Sequence, residues 1–217
     1  PKATLNTGTG VWVGNTGKVY TIGAIKGSGT LGGLCLAVSS GSNTWRVGSL
    51  NTDCTFAGSI SGDGTSFEKV GTGKLIMTGT SDHTGATTIT AGTLALGNAS
   101  AESPMLGTGT LRVADGATLC GRGLLANAST TVAAGGTLFA GNTATASPGE
   151  RDFSSKSVTF SAGSFLSIKI NRAQCAQLVN INRLTVNGTI RVTLGISPRL
   201  AKDTEVQLWQ ARTAVVE

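Results

Sequence analysis

The chain has 217 residues and a net charge of +6, with 39% hydrophobic and only 13% charged residues. That balance excludes an intrinsically disordered chain, which needs low hydrophobicity and high net charge. The 32 glycines follow no every-third-residue period, so a collagen-like helix is excluded, and with no run of about 20 apolar residues no membrane-spanning helix is expected. Many Gly, Thr and Ser with few charges suit an all-β protein with tight turns.

Residues 1–60 read as short strands broken by glycine: Val11-Trp12-Val13, Val19–Ile22, Leu34–Val38, Trp45-Arg46-Val47 and Thr55-Phe56-Ala57. Between 60 and 150 the pattern is most regular. Lys74–Met77, Thr87–Thr90, Thr93–Leu96, Thr110–Val113, Thr118-Leu119 and Thr137–Phe139 read as short strands, several of them alternating apolar and polar residues as strands with one inward face require. Asn142–Ser154 reads as the longest loop. Beyond it, Ser157–Phe160, Phe165–Ile170, Leu184–Val186, Ile190–Leu194 and Glu205–Gln210 read as further strands. Only Asn171–Val179 has the composition for one or two helical turns, as an insertion on a corner. The organisation expected is a single domain over 1–217, with N-terminal rungs at 1–66, regular rungs at 67–142, and C-terminal rungs with an irregular cap at 143–217. Pro1-Lys2-Ala3 and Val215-Val216-Glu217 read as cuts from a longer precursor.

Gly-Thr-Leu-like words recur along the chain. Their apolar members stand at 75, 94, 111, 138, 165 and 190, in steps of 19, 17, 27, 27 and 25. Stacked solenoid rungs produce a quasi-period of this size, because each rung buries its inner face on its neighbours. Roughly ten rungs at about 4.8 Å each would make a rod about 50 Å long. Its core would be ladders of Leu, Ile and Val with inward Thr, Cys and Ala.

The stretch Phe67–Asn98 carries Lys69, Gly71, Gly73, Leu75, Gly79, Thr84, Gly85, Thr87, Thr88, Ile89, Ala91, Gly92, Thr93, Leu94 and Leu96. In this order and spacing they resemble the passenger-associated repeat of bacterial autotransporter proteins. Gly107–Gly121 and Val132–Asn142 look like its continuation, and His83 stands where that pattern carries an aromatic. The resemblance implies a single-stranded, right-handed parallel β-helix in a secreted or cell-surface bacterial protein. It also implies a structural or adhesin-like module, with a host or environmental glycan, a surface protein or flanking domains of the precursor as partners. Nucleic acid is not expected.

Catalytic chemistry is sparse. Gly27–Gly32 spells G-x-G-x-x-G, but no helix pattern follows, so no dinucleotide cofactor is expected. His83 is the single histidine, which leaves no histidine pair for a metal and a poor triad with Asp82 beside it. Cys35, Cys54, Cys120 and Cys175 have no C-x-x-C spacing. They read as free thiols in apolar contexts, with a Cys35–Cys54 contact on adjacent rungs as the alternative. Asp63 and Asp82, 19 apart, would lie on neighbouring rungs and could supply two carboxylates to a polysaccharide lyase or glycosidase. That is the alternative to a non-enzymatic module. Asn98, Asn127 and Asn187 open glycosylation sequons. The charge is lopsided: residues 1–150 carry 8 basic and 7 acidic side chains, and residues 151–217 carry 9 and 4. Lys169, Arg172, Arg183 and Arg191 are therefore the candidate contacts for a polyanion.

Overall fold

The computed structural model describes residues 3–32, 42–97, 106–121, 125, 127, 129–140, 151–152, 156–171, 174–175, 178–194 and 209–216. Among them are 23 strands and no helix, and so no helix long and apolar enough to cross a membrane. The strands wind into a parallel β-helix.

Each rung begins on a first face. Its strands are Thr4–Asn6, Ala24–Lys26, Cys54–Phe56, Lys74–Met77, Thr93–Leu96, Thr118–Gly121, Thr137–Ala140, Phe165–Asn171 and Thr189–Leu194. Each pairs in parallel with the next, Cys54–Phe56 joining through the bridge from Phe56 to Gly27. The third face runs beside it through Val19–Ile22, Thr44–Val47, Ser66–Lys69, Thr87–Ile89, Leu111–Val113, Thr130–Val132, Ser157–Phe160, Leu178–Val186 and Trp209–Val216. Counting either face gives nine rungs among the described residues. Among the described residues the second face forms strands in three rungs, at Val11–Val13, Thr30–Gly32 and Ser59–Ser61, and then a bridge between Ser81 and Leu106.

Register explains the recurring words. Leu75, Leu94, Leu119, Leu138, Leu166 and Ile190 lie opposite one another on the first face. The word at Leu111 belongs instead to the third face, where it pairs with Thr87 and Thr130. The 17-residue step in the sequence is therefore a step between faces, and Leu119 takes the vacated place in the ladder. Burying each leucine contributes about 1.5–3 kcal/mol. On the third face the inward positions are Trp45, Phe67, Thr87, Leu111, Thr130, Val158 and Leu184, alternating with Val47, Lys69, Ile89, Val113, Val132, Phe160 and Val186. Aromatic rings thus join the expected aliphatic core.

The corner from third to first face is a repeated tight turn. In Ala114–Ala117, Ala133–Gly136 and Ser161–Ser164 the fourth amide donates to the first carbonyl at 3.2, 2.9 and 3.0 Å. The third residue, Gly116, Gly135 or Gly163, has φ between 66° and 78°. A side chain disfavours that geometry and glycine adopts it freely, so in each of these turns a glycine stands two residues before the first-face strand.

The helical expectation changes. The described residues of the segment 171–179 are strand rather than helix: Ile170-Asn171 pair antiparallel with Gln174-Cys175, and Leu178 opens the next third-face strand. Nine residues form only a marginal helix, and here the long first-face strand folds back on itself to satisfy its backbone. Cys54 and Cys120 are in no disulfide, in keeping with the thiol reading; Cys35 lies outside the described residues. The cap is irregular, with a register shift where Trp209–Val216 meets Leu178–Val186. Residues 205–208 of the expected last strand lie outside the described residues.

Candidate functional site

The carboxylates sort themselves singly. Asp63 sits in the turn Gly62–Thr65, and the Thr84 hydroxyl donates to its Oδ1 at 2.5 Å. Asp82 is exposed, with its amide donating to the Ile60 carbonyl at 3.1 Å. Asp53 accepts the Lys74 amide at 2.7 Å, and Glu68 holds Arg46 Nε at 2.7 Å while accepting the Thr90 hydroxyl. Among the described residues no three His, Cys, Asp or Glu side chains gather as a metal ion would require. Gly27–Gly32 runs into the strand Thr30–Gly32 rather than a helix. Asn127 of the second sequon is buried and donates Nδ2 to the Gly109 carbonyl at 2.8 Å, so it works inside the fold. Asn98 lies outside the described residues.

Among the described residues two basic side chains are fully interior. Lys69 points inward at the end of its third-face strand, 1% exposed, where Nζ donates to the carbonyls of Val70 (2.8 Å), Gly71 (2.8 Å) and Ala91 (3.2 Å). It thereby ties the corner of its own rung to the corner of the next. Burial pushes its pKa down, opposed by Cys54 and Asp53 nearby. The sequence identified Lys69 as a repeat position, but an inward lysine is invisible to a pattern that expects apolar residues there. His83 is fully buried at the corner entering the third face, with Nε2 2.8 Å from the Thr87 hydroxyl. Its Nδ1 has no hydrogen-bond partner. Burial lowers the ring's pKa more than the Ile60 backbone and the Asp82 carboxylate raise it. Fully buried, with Nε2 against the Thr87 hydroxyl, it fills a corner, as its place in the repeat suggested.

The first rung opens on a cavity of about 400 Å³ lined by Leu5, Trp12, Tyr20, Ile22 and Trp45 with Ala3, Thr4 and Thr21. Tyr20 and Trp45 stack at 4.9 Å between centroids. Their polar atoms are occupied within the chain: the Tyr20 hydroxyl accepts the Asn15 amide, Trp45 Nε1 donates to Gly32 and Trp12 Nε1 to Thr7. What faces the cavity is apolar.

The candidate polyanion contacts do not form one cluster. Arg191 stands on the first face, exposed, with its guanidinium 3.4 Å above the Phe165 ring centroid. Lys169 belongs to the neighbouring first-face strand, opposite Thr193. Arg183 is exposed on the third face, opposite Ser157 and Thr213. Arg172 lies outside the described residues. The described residues from 156 to 216 include Lys156, Lys169, Arg183, Arg191 and Arg212 and no Asp or Glu. Charge asymmetry alone pointed to these rungs. The Phe165 partner of Arg191 emerges only from the strand register.

No curated protein matches this chain in sequence. Residues 67–96 match the family model of the passenger-associated-transport-repeat. They span the rung that Lys69 latches, from the third-face strand at 66–69 to the first-face strand Thr93–Leu96. The chain therefore carries an autotransporter passenger repeat segment at the centre of its parallel β-helix.

Proposed function

We propose that this chain is a non-enzymatic structural module with an adhesin-like role, secreted or displayed on a bacterial surface as part of a larger protein. The observation that carries the reading is the passenger-type repeat built into the middle of two long parallel sheets. A solenoid of this kind projects a partner-binding surface away from its anchor, and its stability accumulates from neighbouring rungs. Of the two carboxylates that the polysaccharide-enzyme alternative needs, Asp63 accepts the Thr84 hydroxyl and Asp82 stands exposed. Flanking domains of the same protein and a host or environmental surface are the partners it would serve.

The test is antibody labelling of intact cells expressing the full-length protein, followed by external protease. Surface labelling lost on proteolysis is expected, and labelling that requires permeabilised cells would reject the reading. Reducing-end release from acidic or neutral glycans, abolished by Asp63→Asn, would replace it with the enzymatic one.

A further inference from the structure

We propose that the outward first face of the last three rungs is a binding site for an acidic polysaccharide, centred on Ser167. Register lays the site out as a small grid. Thr137, Phe165 and Thr189 form one outward column, and Phe139, Ser167 and Arg191 form the next. The residues between them, Leu138, Leu166 and Ile168, point into the core and are fully buried, so the grid residues share the outer surface. Ser167 has Phe139 on the rung before it, Arg191 on the rung after it and Phe165 two positions back along its own strand.

Three features select the ligand. Charge comes first: among the described residues from 156 to 216 no acidic residue faces the exposed Arg191 guanidinium, which stands over the Phe165 ring. Stacking on that ring holds the planar group in place and leaves its edge donors free for a carboxylate or sulfate. Shape and polarity follow. Half-buried Phe139 offers an aromatic face of the sort that covers the C–H face of a sugar ring. The hydroxyls of Thr137, Ser167 and Thr189 border it as donors and acceptors suited to sugar hydroxyls. The surface is an open sheet face rather than a cleft, which favours an extended polymer over a small molecule.

The choice of glycan over nucleic acid rests on the surface-module reading above, since a displayed protein meets acidic glycans first. The binding itself is testable without it. Purified chain is passed over immobilised polygalacturonate and over neutral dextran at about 0.15 M salt, where long-range attraction is screened. Retention on the uronate polymer alone is expected. Arg191→Gln should weaken it on the order of fivefold, the scale of one exposed ion pair, and Phe139→Ala should weaken it comparably. Arg191→Lys, which keeps the charge and loses the planar stack, should fall between. Arg112→Gln, which removes an exposed cation on the third face, should leave binding unchanged. Circular dichroism of each variant confirms an intact fold. The proposal fails if polygalacturonate does not retain the chain, if dextran retains it equally, or if Arg112→Gln costs as much as Arg191→Gln. Tighter binding to single-stranded DNA, lost with the same variants, would also overturn it. None of these results bears on where the protein resides, so the surface reading stands or falls separately.

Discussion

The rungs around the matched repeat and the last three rungs share one backbone plan and use charge in opposite ways. In the former, Lys69 is drawn inside to cap three carbonyls, Arg46 is held by Glu68, and Asp53 and Asp63 accept hydrogen bonds from the next rung. Charge there is spent on stacking. In the latter, Lys156, Arg183 and Arg191 are exposed, the described residues from 156 to 216 include no carboxylate, and Arg191 leans on an aromatic ring instead. The fold tolerates both because the inward ladders, not the surface, hold the rungs together. The comparison teaches that a net charge of +6 says little until each charge is assigned to an inner or outer position.

The largest expected effect sharpens this at the corners. Gly92 has φ 65°, and a Cβ there would stand 2.5 Å from the Gly71 carbonyl oxygen, with those of Gly73 and Thr72 at 2.7 Å. Gly116 has nearly the same φ, 66°, but open space around it. Gly116→Ala should cost about 1 kcal/mol from backbone strain alone. Gly92→Ala adds overpacking against the neighbouring rung and should cost about 3 kcal/mol. Urea denaturation of both would measure the difference, and equal costs would mean that the rungs are not stacked so closely at the repeat.

Lys69→Met comes next. It keeps most of the stem and removes the ammonium, leaving the Val70, Gly71 and Ala91 carbonyls without that donor. A loss of about 2 kcal/mol is expected. A neutral or stabilising result would show that burying the charge costs as much as its hydrogen bonds return.

The pH dependence is gentler. The pKa of His83 is lowered in the folded chain, so the unfolded chain binds more protons as pH falls through about 6.5. Stability from this residue is complete above that pH and declines below it, by at most about 1.4 kcal/mol per pH unit for one proton. Melting curves between pH 7.5 and 5 should show the decline, and His83→Phe should flatten it. An unchanged slope in that variant would place the acid sensitivity elsewhere.

Much of the architecture could be read from sequence because a solenoid writes its period into its corners. Several of the Gly-Thr-Leu words lie at the turn from third to first face, where a left-handed glycine comes one or two residues before an outward and then an inward residue. Where the same word falls at another corner, as at Gly109-Thr110-Leu111, spacing alone assigns it to the wrong ladder. The strands Thr4–Asn6, Ala24–Lys26 and Thr130–Val132 escaped because three residues are too few to display alternation. The helix expected near 171–179 failed for a related reason, since local composition cannot see a long strand folding back. The cationic rungs were visible as an excess of Lys and Arg, but the division of Arg183 from Arg191 between faces required register. The inward lysine and the aromatic-lined mouth of the first rung left no signal, because both depend on which neighbours lie one rung away.

The most direct test of this division of labour is an NMR titration of the isotopically labelled chain with polygalacturonate oligomers. The account predicts amide shifts in 137–140, 165–171 and 189–194, with residues 67–96 unmoved. Shifts concentrated in 67–96, or spread evenly over every exposed arginine and lysine, would contradict it.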